Sequence, residues 1–495
     1  MIRAVLGAAG LILLGVSLIL VRTLTYGAAP QGLNSVVLPS PPEISAEQAA
    51  SRLSRAIQFR TITYKAGDPV AEAAAPWINM QTWLAEAYPR VHANLEIERV
   101  NGYSLLYRWA GTQEPLAPLV FMAHQDVVPV NEGTLEDWTG APFSGEIIDG
   151  YVYGRGALDD KASMIAILEA GEALLETGFQ PQRPIYFMFG HDEEVSGAGA
   201  AAMVDLLHAR GVRAEMVLDE GFFVIEDSPL TGNVFGFIGV AEKGYITLRL
   251  TATARGGHSS RPPRNSANVQ LARAIIALEE NQMPADFSKA PIADLFRAAA
   301  EDMDFFTRMA FANRWLFGGF IDAQMAATGA DAMLRTTTAP TMLTGSIKEN
   351  VLPQRATALI NFRVHPNDTI DSLMTHVRKV TEHIEGLEIT RNEDGGIGSE
   401  ASPVSPTDGQ AYSVLAALAR QLGDGAPVGP ALVLGATDAR WASKISDRVY
   451  RFVPARVTMK DTAGFHGTNE RMSVTNMKRM SEGYAQIMLA MDGAQ

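Results

Sequence analysis

Hydrophobic and polar positions along this chain fall into distinct rhythms. Between about residues 45 and 242, short unbroken apolar runs alternate with segments of helical period. "PLVFMAH", "RPIYFMFG" and "AEMVLDE" predict buried strands. "AEQAASRLSRAIQF", with Ser45 and Gln48 at capping-box spacing, predicts a first helix, and "ASMIAILEAGEALLETG" predicts another that Gly178 stops. Strands and helices that alternate in this way imply an α/β unit with a largely parallel sheet.

The rhythm changes at Lys243. "YITLRLTATA" and "ATALINFRVH" alternate with period two, as strands with one wet face do. With the helices "NSANVQLARAIIALEE" and "DSLMTHVRKVTEHI" and the run "LEITRN", they give a β-α-β-β-α-β order, the ferredoxin-like arrangement. An extra segment at roughly 284–340, rich in Phe, Met, Ala and Trp, has helical texture and reads as a flap favouring apolar groups. After residue 398 the α/β texture returns through "SVLAALARQLG", "PALVLGATDARWA" and a last helix, "TNMKRMSEGYAQIMLAM". The expected fold is thus a mixed, mostly parallel α/β domain in two pieces, 45–242 and 398–495, with a ferredoxin-like α+β domain, 243–397, inserted between them.

At the N-terminus an apolar run from Ala4 to Val21 lies between Arg3 and Arg22. Its length suits a signal anchor or a signal peptide over residues 1–26. Residues 27–44, with Pro30, Pro39, Pro41 and Pro42, read as an extended linker. The expectation is a membrane-anchored or exported protein whose folded part lies outside the cytoplasm.

A length of 495 residues favours two domains. A formal charge of −14 argues against nucleic acid, whose phosphates call for clustered Lys and Arg. The chain has no cysteine, which removes disulfides, thiol nucleophiles and Cys-type zinc sites together, so any metal must be held by His, Asp and Glu.

Three of the apolar runs end in such residues: His124 and Asp126, Glu193 and Glu194, Asp219 and Glu220. Ligands of open α/β sheets bind beyond the carboxyl ends of strands, so these groups are placed to converge. The loop "GRGALDDKAS" adds Asp159 and Asp160, and "AGFHGTNERMS" adds His466. Burying so many acids without a cation would be prohibitive. Nitrogen and oxygen donors without thiols suit zinc, and five or more of them suggest two ions about 3.5–4 Å apart sharing one carboxylate. Of the adjacent Glu193 and Glu194, one binds metal while the other acts as general base on a water. There is no G-x-S-x-G elbow, H-E-x-x-H helix or phosphate-binding P-loop.

In order, "MAHQDVVPV", "GRGALDDKAS", "HDEEVSG", "LDEG", "GGHSSRP", "NFRVHP" and "FHGTNERMS" resemble the two-zinc metallopeptidase family of aminoacylases, carnosinases, glutamate carboxypeptidase and acetylornithine deacetylase. The resemblance covers about residues 45–490 and is greatest to the Gly-X carboxypeptidase branch, with carboxypeptidase S and N-acyl-amino-acid hydrolases. It implies a zinc-peptidase catalytic domain with an inserted lid or dimerisation domain, through which a homodimer would form. It implies two zinc ions, with cobalt or manganese as substitutes, held by His124, Asp159, Glu194, Asp219 and His466. Asp159 would bridge the ions, Asp126 would orient His124, and Glu193 would be the base. Asp160 and Asp192 would be structural, with Glu220 a weaker ligand candidate than Asp219. His258 would reach a substrate carbonyl, commonly from a partner subunit, and Arg363 and Arg440 would hold the substrate's free carboxylate.

The implied reaction is cleavage of the amide beside a free C-terminal amino acid in a short peptide or N-acyl amino acid. Two alternatives stand beside it: a narrow N-deacylase of the acetylornithine or succinyl-diaminopimelate type, and a non-catalytic metal-binding relative.

Overall fold

The computed structural model describes residues 2–27, 36–113, 116–289, 291–392 and 398–493, with side chains from Gly10 onward. Residues 28–35, the part of the expected linker that contains Pro30, lie outside the described residues, as does the expected domain boundary at 397.

The larger sheet has eight strands in the spatial order Glu96–Val100, Ser104–Trp109, Ile185–Gly190, Leu119–His124, Met216–Ile225, Val449–Val457, Phe235–Glu242 and Val428–Val433. Its central pairings are parallel, and antiparallel strands complete it. Every residue of Leu119–His124 and Ile185–Gly190 is buried, which is why these strands read as unbroken apolar runs.

Helices cover both faces. Ala46–Ile57, Lys161–Glu176, Gln410–Leu422 and Val474–Asp492 share the main core with one face. On the other face, Ala198–Ala209 and the turn Asp438–Lys444 build a smaller core around Met203, Leu207 and Ala442. Local signals act as expected at helix ends: Ser45 Oγ accepts from the Gln48 N–H at 3.2 Å, and Gly178 (φ +79°) follows the end of Lys161–Glu176.

The second sheet is antiparallel, in the order Thr337–Thr344, Arg355–Val364, Gly244–Thr253 and Leu387–Arg391. This is the ferredoxin-like order. Helices Ala267–Glu280 and Ile370–Thr381 pack on it through Leu271, Leu278, Leu373 and Val377. The final helix of the extra segment is a short turn ending at Met333, and the strand begins at Thr337, so the expected helical stretch to 340 runs into the sheet.

That extra segment is packed rather than free. Helix Ile292–Ala299 lies against the edge strand Val428–Val433, where a Cβ on Gly429 would come 3.0 Å from Ala298 Cβ and 3.2 Å from a Leu295 methyl. Leu295, Phe296, Phe235 and Leu432 bury one another there. The helix thus covers one face of the outermost strand through side-chain contacts.

The N-terminal apolar stretch forms a helix, Ile2–Thr25. The expectation of a membrane span is not met among the described residues, where no helix is long and apolar enough to cross a membrane. The helix docks its last turns on the extra segment: Arg22 Nε donates to the Ala312 carbonyl at 3.1 Å, and Asn313 Nδ2 donates to Thr23 Oγ1 at 3.2 Å.

Candidate metal centre

Segments distant in the sequence converge at the carboxyl end of the central strands. Leu119–His124 ends on His124, whose Nε2 lies 2.9 Å from Asp159 Oδ1 and 3.5 Å from Glu220 Oε1. His466, on the loop before the last helix, places Nε2 3.1 Å from Asp159 Oδ2 and 3.1 Å from Glu194 Oε2. The two oxygens of Asp159 therefore face two different imidazoles. Ligand atoms of His124, Asp159 and Glu194 lie within 4.8 Å of one another, as do those of His124, Glu193 and Glu220.

The electrostatics explain why such a cluster calls for cations. Burial disfavours the His124 imidazolium, yet the carboxylates of Glu220, Asp126 and Asp159 outweigh it and hold its pKa well above the ordinary value. Hydrogen bonds to Asp159 and Glu194 push His466 up to about 10. Burial, followed by the charge of Asp159 and Asp160, drives the Glu220 carboxyl well above its usual range. Both imidazoles are thus shifted in the direction that marks a demand for positive charge. Glu194 Oε1 is buried without a hydrogen-bond partner. Imidazole nitrogens and carboxylate oxygens with an orphaned acceptor fit divalent ions of the zinc type.

Among the expected ligands, Asp219 is the one that the structure engages elsewhere. Asp219 turns away from the cluster, and its Oδ2 accepts from the Ala439 N–H at 2.7 Å. Glu220, expected as the weaker candidate of the two, brings Oε1 to 3.5 Å from His124 Nε2. The strand does not end at "VLDE" but runs on to Ile225, and successive residues point to opposite faces. Met216 and Leu218 face the main core, whereas Val217 faces the smaller core that includes Ala439. Asp219 shares the parity of Val217, but so does His124, which follows Val120 and Met122 on the neighbouring strand, so alternation alone would put Asp219 on the side of His124. Pairing with Val449–Val457 shifts register between Asp219 and Phe222, a bulge that re-aims Glu220.

Asp126 does more than was expected of it. His124 Nδ1 lies 3.0 Å from the Asp126 carbonyl and 3.4 Å from its carboxylate. That carboxylate also accepts from the Glu193 N–H at 3.0 Å, the Glu194 N–H at 3.2 Å and Thr63 Oγ1 at 2.8 Å. One buried acid thereby orients a histidine and pins the loop carrying both glutamates. Asp192 accepts from the N–H groups of Ala198 and Gly199, where the next helix starts. Asp160 is buried and its carboxylate has no hydrogen-bond partner.

Sequence reasoning missed Glu470, although the motif around His466 contains it. Fully buried, it accepts from the N–H groups of Gly156, Leu158 and Asp159 at 2.7–3.0 Å and pairs with Arg155 Nη1 at 2.6 Å. It shapes the loop that presents Asp159. Glu470→Ala is expected to cost roughly 3–5 kcal/mol, because Arg155 and three amides lose their acceptor inside the protein. A urea midpoint matching that of the parent chain would contradict this.

Arg440 reaches the site. Its Nη1 lies 3.8 Å from Glu193 Oε1 and its Nη2 donates to the Ser196 carbonyl at 2.9 Å. Arg363 and His258 do not contact the cluster. Arg363 stacks over Tyr245 with 5.0 Å to the ring centroid. His258 is exposed on the short strand Gly257–His258, which pairs with Val351–Leu352.

Comparison with known proteins agrees with this geometry. A family profile described as peptidase family M20/M25/M40 matches residues 120–490. The chain is 34% identical over 490 residues to the N-fatty-acyl-amino acid synthase/hydrolase PM20D1 of Xenopus tropicalis, covering 97% of this chain and 93% of the relative. It is 35% identical over 442 residues to the probable carboxypeptidase S-like 2 of Dictyostelium discoideum, covering 88% of this chain and 84% of the relative. Among solved structures, the M20 family metallo-carboxypeptidase Sso-CP2 of Sulfolobus solfataricus superposes with a TM-score of 0.63 at 16% identity, over 89% of this chain and 98% of that one. Human carnosine dipeptidase 1 gives 0.60 at 16% identity, over 91% and 100%. At such identities the structural likeness speaks for the fold, while the profile and the sequence relatives speak for kinship. The chain belongs to peptidase family M20/M25/M40 and is a metal-dependent hydrolytic enzyme of the metallopeptidase type.

Proposed function

We propose that this enzyme uses two zinc ions to cleave the amide bond beside a free C-terminal amino acid, in short peptides or N-acyl amino acids. The observation that carries the reading is Asp159, whose two carboxylate oxygens each face a different histidine. His124, Asp159 and Glu220 would hold one ion, and His466, Asp159 and Glu194 the other. Cobalt or manganese would serve as substitutes. Bound there, the ions supply activation of water at neutral pH and polarisation of the scissile carbonyl.

The chain's own residues do the rest. Glu193 accepts a proton from the attacking water as the O–C bond forms, then delivers it to the amide nitrogen as the C–N bond breaks. Arg440, beside Glu193, and Arg363 offer guanidinium groups for the free carboxylate. His258, exposed on the inserted domain 243–397, would stabilise the carbonyl oxygen from a partner subunit. The edge strand Thr337–Thr344, with Met342 and Leu343 exposed, supports pairing of two such lids. The names of the relatives favour acyl amino acids and carboxypeptidase substrates together. The Ala4–Val21 run, free of charged residues, supports a catalytic part outside the cytoplasm with the N-terminal helix in contact with lipid.

An assay of metal-reconstituted protein across dipeptides and N-acyl amino acids tests this reading. Hydrolysis should require the free carboxylate and should stop when a chelator is added. Turnover that persists when that carboxylate is capped as an amide would sink the assignment. Chelation is also expected to lower the thermal midpoint at neutral pH, since it leaves the clustered carboxylates without their cations.

A further inference from the structure

Four consecutive residues of the N-terminal helix, Leu11, Ile12, Leu13 and Leu14, are 71%, 66%, 68% and 70% exposed. Successive residues of an α-helix point about 100° apart, so these four sweep the whole circumference. A protein partner or a second copy would cover one stripe of such a helix and leave the rest in water. Lipid hydrocarbon would cover all of that circumference, as a helix apolar all round requires.

The same helix ends in a polar joint. Thr23 is fully buried, and Asn313 Nδ2 bonds to its hydroxyl and to the Ile19 carbonyl. Asn313 lies between helices Phe305–Ala312 and Arg314–Thr328 of the extra segment. Immediately beyond it come Trp315, Leu316 and Phe320, which are 62%, 52% and 64% exposed. From Leu14 to Thr23 the helix rises only about 14 Å. An exposed tryptophan at the joint sits where side chains with an apolar body and a polar edge favour the membrane–water interface.

We infer that the N-terminal helix and the exposed aromatic face of helix Arg314–Thr328 form one lipid-binding unit, in which the extra segment itself enters the bilayer surface. The inference builds on the proposed contact between the N-terminal helix and lipid, and adds a second element with its own side chains in the membrane. It places the strand Val428–Val433, on which the segment packs, and with it the catalytic body, at a set height over the lipid.

The absence of cysteine gives a direct test. Full-length protein carrying a single environment-sensitive fluorophore at Leu14→Cys, Phe320→Cys or, as control, Ile276→Cys on the inserted domain is mixed with phosphatidylcholine–phosphatidylglycerol vesicles. The labels at 14 and 320 should shift to shorter wavelength and be quenched by spin-labelled acyl chains, while the label at 276 stays unchanged. Quenching at 14 with a water-exposed label at 320 would overturn the inference and leave the helix contact standing. No quenching at either position would remove both. A label at 320 already shielded without vesicles, in a concentration-dependent way, would assign that face to a second protein copy and likewise overturn the inference.

Discussion

Glu193→Gln is expected to leave the protein with its full complement of metal and almost none of its hydrolytic rate. The substitution keeps the shape of the side chain and removes its capacity to take a proton. A positioned general base contributes about 10²–10⁴-fold, so kcat should fall by that order while KM changes little. The position of the base is set from outside the cluster: Asp126 holds the Glu193 amide, and Arg440 stands 3.8 Å from its carboxylate. Burial and then the charge of Asp438 push the Glu193 carboxyl well above its usual range. Geometry alone also groups Glu193 with His124 and Glu220 as donor atoms. Metal analysis separates the two roles. Retained metal with lost turnover identifies the base, whereas loss of one ion would make Glu193 a ligand, and full activity would leave the base unassigned.

The second large effect concerns the neighbours Asp219 and Glu220. Glu220→Ala should reduce the metal content from two ions to one and cut the rate by more than the roughly 10–100-fold typical of losing an outer partner. Asp219→Asn should keep both ions, because the amide oxygen still accepts from the Ala439 N–H. Metal stoichiometry by elemental analysis, set beside kcat/KM, decides between them. If Asp219→Asn lost an ion while Glu220→Ala kept both, the expected roles would be reversed.

That pair also shows where sequence stops being legible. The convergence of His124, Asp159, Glu194 and His466 followed from strand ends and glycine loops, because strands carry their termini to one rim of the sheet. The choice between Asp219 and Glu220 turns on a register shift that inserts two extra residues, Glu220 and Gly221, opposite one step of the neighbouring strand. An unbroken apolar run reports burial without reporting which face each residue takes. Alternation around Met216, Val217 and Leu218 puts Asp219 rather than Glu220 on the side of His124, so the register shift after Asp219 is what the sequence does not show. Glu470 was hidden for a different reason. Its role consists of backbone amides more than 300 residues away in sequence, and no local pattern encodes such partners. In the inserted domain, period-two strands and two amphipathic helices gave the order directly. The extra segment gave only its helical texture, since the edge strand it covers lies beyond residue 427.

The tie between Glu470 and the 155–159 loop has a consequence for how the enzyme comes into being. Residues 124, 159 and 194 leave the ribosome long before 466 and 470, so a nascent chain carries a half-built chelator whose key loop lacks its mould. Contacts of such sequence separation form late. The cluster with both histidines, and the loop shaped by Glu470, can therefore be complete only once residues 466 and 470 have been made.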